Sequence, residues 1–224
     1  MAIDGRAAVT VAMATLLASG VARAQSWPDV PTPEGAQGEW VSQHMRYNGL
    51  NMRAMRFQVR QKLDVVESFY RKAWGTQVVK NALGRKTVLG HAEGRYFITV
   101  ELTPSGSSTQ GQIGIMQMPT KAPAGRPGDG FSKMPGTQVY EDIVYLDTPQ
   151  KSRSLNMFNG HSPFQNDRFY KRVLAGKGYV RESRSMACNA SSQLCVAYYQ
   201  KGDDRIVVSM NRMNEGTSIV ALDL

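Results

Sequence analysis

The chain is poor in the residue types that most often carry chemistry. Its 224 residues hold only three histidines and two cysteines. None of His44, His91 and His161 has a second His, Cys or carboxylate at a metal-ligand spacing such as H-E-x-x-H. G-x-S-x-G and S-x-x-K are both absent, which excludes the nucleophile motifs they encode. The glycines of "GRPGDG" lack the flanking strand and helix that a phosphate loop requires. Ser162 follows Gly160-His161, but Pro163 and Gln165 beside it make it a helix cap rather than a nucleophile. Asp203 and Asp204 are neighbours after Gly202, where paired acids are ordinarily solvated. No RNA- or DNA-reading motif is present, so no nucleic-acid partner is expected. These absences favour a non-catalytic protein without a cofactor. An enzyme or small-molecule carrier whose site assembles from distant residues is the alternative.

Long apolar runs are also scarce, and the one present lies at the start. Arg6 precedes "AAVTVAMATLLASGVA", and Ala22-Arg23-Ala24 forms an A-x-A cleavage signature before Gln25. A positive start, an apolar centre and a small-residue site read as a secretory signal peptide over residues 1–24. The run is short for a bilayer span, which needs about 20 apolar residues. A periplasmic or secreted location is therefore expected, with no transmembrane span after cleavage. Removal of Asp4, Arg6 and Arg23 takes away one acid and two bases, so the net charge falls from +9 to +8.

What the chain does have is period-two apolar alternation, and a phrase used twice. "FYRKAW" at 69–74 returns as "FYKRVL" at 169–174. Before the first, Met55, Phe57 and Val59 alternate with Arg56, Gln58 and Arg60, the signature of a half-buried strand. Before the second stand Leu155 and Met157. Leu63, Val66, Tyr70 and Trp74 recur at helical spacing. Ser162, Pro163 and Gln165 open the second helix, and Gly176 and Gly178 close it. "KTVLGHA", "RYFITVEL" and "QIGIMQM" follow the first helix; "LCVAYYQ", "RIVVSMNR" and "TSIVALDL" follow the second. The shared order predicts an α+β protein of two tandem related units, 45–118 and 137–224, each one main helix packed on an antiparallel sheet. An extended polar leader is expected over 25–44, and a Pro/Gly-rich linker or loop over 119–136.

Two features bear on partners. The first is charge, with 27 Lys and Arg against 18 Asp and Glu. Arg53, Arg56, Arg60, Lys62, Arg71 and Lys72 crowd the first half. They form a candidate patch for an anionic partner, either an envelope protein or an anionic envelope surface, unless they only keep the protein soluble. The second is the cysteine pair. Cys188 and Cys195 both lie in the exported part, and an even count in an oxidising compartment predicts a disulfide. The polar stretch between them suggests that they face each other across a hairpin. The expected activity is that of a binding or scaffold module, an accessory to an envelope or secretion assembly.

Overall fold

The computed structural model describes residues 26–148 and 152–224. The expected signal peptide and Lys151 lie outside the described residues. Twelve strands are present: β1 Gln37–Tyr47, β2 Leu50–Val59, β3 Val79–Leu83, β4 Lys86–Glu93, β5 Tyr96–Ser105, β6 Ser108–Gln117, β7 Gln138–Tyr145, β8 Ser152–Asn159, β9 Val180–Arg181, β10 Leu194–Lys201, β11 Asp204–Met213 and β12 Gly216–Asp223. They form a single antiparallel sheet in the linear order β3-β4-β5-β6-β2-β1-β7-β8-β12-β11-β10-β9. Two α-helices accompany it, α1 (Leu63–Trp74) and α2 (Pro163–Gly176).

This corrects the expected fold class. The described chain is mostly sheet, with two helices, and is not an α+β arrangement of two helix-on-sheet units. The physical reason lies in β1. Its residues are largely exposed and show no clean alternation, so it begins inside the segment expected to be a polar leader. It nevertheless pairs with β2 on one side and β7 on the other, which fuses what would be two sheets into one.

The junction is short and held by side chains. Only Met45, Arg46 and Tyr47 of β1 pair with Tyr145, Val144 and Ile143 of β7. Asp147 reinforces it by accepting hydrogen bonds from the Ser42 hydroxyl at 2.9 Å and the Gln43 amide at 2.7 Å. Asn48, in the left-handed region at φ 49°, accepts the Asp142 amide at 2.9 Å and donates to the Tyr140 carbonyl at 3.1 Å. Asn tolerates that conformation better than other non-glycine residues, because its short polar side chain bonds locally.

Read inward from either outer edge, the strand order follows the same sequence of elements. The halves also share details. Tyr70 and Tyr170 are each buried on their helix. The buried hydroxyls of Thr109 and Thr217 donate to the carbonyls of Gln61 and His161, at 2.8 and 2.6 Å, tying a late strand to the entry of each helix. α2 has the capping box that its sequence specifies. Ser162 Oγ accepts the Gln165 amide, and the Gln165 side chain accepts the Ser162 amide. α1 lacks a side-chain cap and relies on its apolar face, where Val66 and Tyr70 are buried.

Each helix covers one core. Phe57, Val59, Val66, Tyr70, Ile98, Val100 and Leu102 belong to the first; Leu155, Met157, Tyr170, Leu174, Val208, Met210 and Ile219 belong to the second. Following the register through Met52, Met45, Tyr145 and Ser152 shows that both helices cover the same face of the sheet. The opposite face carries no helix among the described residues.

The hydroxyls of Tyr70 and Tyr170 are buried without a hydrogen-bond partner among the described residues, and burial pushes both groups well above the ordinary phenol range. A buried unpaired hydroxyl costs free energy that a ring hydrogen would not. Tyr70→Phe and Tyr170→Phe are therefore expected to leave stability unchanged or raise it by about 1 kcal/mol. Urea midpoints would check this; a loss of similar size in either variant would show that the hydroxyl is satisfied.

Candidate functional site

The six cations singled out in the first half do not share one surface. Arg53 lies on the helix side of β2 with its guanidinium carbon 4.6 Å from the Trp27 ring centroid. Trp27 in turn meets Tyr96 at 5.1 Å, so the segment before β1 is packed against the first core. Arg56 points to the helix-free face and is ion-paired with Glu39. Arg60 follows just beyond the end of β2. Lys62 is the N-cap of α1, and Arg71 and Lys72 occupy its last turn, where cations complement the helix dipole. Glu67 sits 3.5 Å from Arg71 and 2.7 Å from Lys80, which partly neutralises this helix.

α2 is a more uniform basic surface. Arg168, Lys171 and Arg172 are exposed at helical spacing on its outer side, and Lys177 follows at the C-cap. The one acid on this helix, Asp167, is buried and bonded to Arg181 at 2.7 Å. No ion pair engages Arg168, Lys171, Arg172 or Lys177 among the described residues. Sequence reading concentrated on the first half and missed this patch. The signal was present in "RFYKRVLAGK", where every charge is positive.

A second feature occupies the helix-free face of the first half. An open cleft of about 790 Å³ crosses β1, β2, β6, β5 and β4. Its floor is two cross-strand rows. One reads Gln37, Gln58, Gln110, Thr103; the other reads Glu39, Arg56, Gln112, Glu101. Lys86 closes the β4 end, donating to Glu101 at 3.0 Å. The side chains of Gln37, Gln58, Gln110 and Gln112 make no hydrogen bond among the described residues, while the two acids are each matched by a cation. The cleft is therefore close to neutral, and its free groups are amides. These residues are spread along the sequence, and only strand register brings them together.

Cys188 and Cys195 form a disulfide with a Cα separation of 5.5 Å. The geometry differs in detail from a hairpin bridge. Cys195 is buried in β10, whereas Cys188 lies in the loop after β9. That loop runs along β10, with the Glu182 and Met186 amides donating to Tyr198 and Val196. The bridge thus pins the outer border of the second half. For so short an enclosed loop, the chain-entropy contribution is about 2–3 kcal/mol. A smaller cleft beside it is lined by Asp167, Lys171, Arg181, Glu182 and Met186.

The segment expected as a linker, 119–136, is a loop whose second part is anchored. Asp142 accepts the Gly128 amide at 2.7 Å and both Nε and Nη2 of Arg153, at 2.8 and 2.6 Å. Arg153 also donates to the Asp129 carbonyl at 3.1 Å. Phe131 packs 6.0 Å from Tyr170 at the second core.

Among the described residues no three His, Cys, Asp or Glu gather as a metal-ligand set, and no helix is long and apolar enough to cross a membrane. Compared with known proteins, the chain matches no family model, no curated protein and no solved structure.

Proposed function

We propose that the chain is an exported, non-catalytic binding module that docks onto an anionic lipid surface of the cell envelope through the outer side of α2. The observation that carries this reading is the exposed run Arg168, Lys171, Arg172 and Lys177, whose one helical acid is buried in a separate ion pair. Exposed cations without ion pairs on the outer side and at the C-terminal end of one helix attract an anionic leaflet, each contributing about 1 kcal/mol close to the surface. Export is supported by the signal-like start and by the oxidised Cys188–Cys195 pair, which suits an oxidising compartment. The reading as a binding module rather than a carrier is supported by two filled cores and by clefts that are open rather than enclosed. An exposed edge strand, β3, with Val79 62% and Leu83 68% exposed, offers a further surface on which another chain could pair.

Co-sedimentation of the mature protein with vesicles tests the reading. Binding is expected to vesicles of phosphatidylglycerol and phosphatidylethanolamine, and not to phosphatidylcholine. It should be released in 1 M salt, where the screening length shrinks to about 3 Å. Equal binding to both vesicle types, or binding that ignores salt, would overturn it.

A further inference from the structure

The cleft on the helix-free face is unrelated to the docking side, and its composition asks for a different ligand. We infer that it binds a neutral, hydroxyl-rich linear glycan laid across the strands.

Three observations lead there. The first is the character of the free groups. Gln37, Gln58, Gln110 and Gln112 are exposed on one face with their amides unengaged. Each amide offers both donors and an acceptor. That is the complement of a sugar hydroxyl, which also gives one and takes others. Charged ligands are disfavoured, because Arg56 and Lys86 are already matched by Glu39 and Glu101.

The second is shape. The cleft runs over five neighbouring strands. At roughly 4.8 Å between strands, its length is about 19 Å. That exceeds a single ring and fits a chain. Its floor is made of side chains, since β2, β6, β5 and β4 each pair with a neighbour on both sides, and only β1, which meets β7 at Met45–Tyr47 alone, has a free edge there. A peptide that binds by adding a strand would engage only the free edge of β1 at one end of the cleft and would leave the amide rows on the sheet face untouched.

The third is the contrast between the halves. The second half repeats the strand order, so it shows what the fold requires at these positions. Phe158, Ser218 and Val220 stand there in place of Gln58, Gln110 and Gln112, while Gln138 matches Gln37, and Asn156 and Asn211 replace Arg56 and Thr103. The sheet forms equally well with them. The cluster of Gln58, Gln110 and Gln112 is therefore specific to the first half, and not a demand of folding.

The test is calorimetric titration of the full mature chain with neutral linear hexasaccharides of the cello, malto, xylo and N-acetylated chito series, alongside a neutral Gly/Ser hexapeptide. At least one hexasaccharide is expected to bind, its monosaccharide far more weakly. Replacing Gln58, Gln110 and Gln112 together by Ala should weaken binding at least about tenfold, since each neutral hydrogen bond contributes only modestly. The near-isosteric set Gln→Met at the same positions keeps the side-chain length and should do the same. Ser218→Ala in the second half should change nothing. Binding should persist in 1 M salt, which separates it from vesicle docking, so either property can fail while the other stands. Absence of binding to every series, retention of affinity in both triple variants, or preference for the peptide would overturn the inference.

Discussion

Asp142→Ala is expected to lower the unfolding free energy by about 3 kcal/mol, the lower end of what breaking a buried charge pair costs. Three dependencies meet at this carboxylate. It accepts two guanidinium hydrogen bonds from Arg153 and the backbone amide of Gly128, so its removal strands a cation and frees a loop. The Arg153 side chain is 22% exposed and keeps its bonds to the Asp129 carbonyl, which holds the loss below the upper end of the range. The position also matters for the junction, because the Asp142 backbone bonds to Asn48 in both directions. A double variant with Arg153→Ala should cost less than the two single changes added, since the stranded charge is gone.

The same group sets an acid limit. Burial raises its pKa, but the Arg153 hydrogen bond, the Gly128 amide and the charges of Arg153 and Lys133 outweigh that and hold it below the ordinary carboxylate value. A carboxyl with a depressed folded pKa contributes its full stability above the unfolded value, near 4. That contribution drains away as pH falls through the folded value. The wild-type unfolding midpoint should drop below about pH 4, with Asp142→Asn showing a shallower acid limb. A midpoint unchanged by Asp142→Ala at neutral pH would show that the loop is held by Phe131 packing alone.

The helices were legible in the sequence because their determinants are local. Ser162, Pro163 and Gln165 mark the start of α2 within four residues, and the Val66–Tyr70 stripe marks the buried face of α1. Strands such as β5 were legible for the same reason, as Tyr96, Ile98, Val100 and Leu102 alternate cleanly into the core. The fold class was not legible, because it turns on β1. That strand is exposed over most of its length, carries two register shifts, and is fixed against β7 by three residue pairs and the polar contacts of Asp147 and Asn48. Such contacts span about a hundred residues of sequence, and no local pattern announces them. The disulfide followed from cysteine count, while its loop-to-strand geometry did not. The cleft was hidden for a related reason. Gln58 and Arg56 read only as the wet side of a strand until register set Gln110 and Gln112 beside them.

Replacing Arg168, Lys171, Arg172 and Lys177 together by Ala is expected to weaken binding to anionic vesicles by about a thousandfold. Each cation near an anionic leaflet contributes about 1 kcal/mol, and 1.36 kcal/mol is a factor of ten. Four such terms give nearly three decades, provided that the helix lies against the surface. The fold should tolerate the change, because Arg168, Lys171 and Arg172 are exposed on the side of α2 away from Tyr170 and Leu174, and Lys177 is exposed at its C-cap. Comparison sets sharpen the assignment. Arg71→Ala with Lys72→Ala should cost less, since Glu67 already shares that helix with them. Arg56→Ala should cost nothing, because Arg56 is paired with Glu39 on the other face of the sheet. Reversal of this ranking would move the docking surface to the first half, where the sequence had concentrated its cations. Equal losses from all three sets would mean that vesicles sense net charge alone, and α2 would lose its special role.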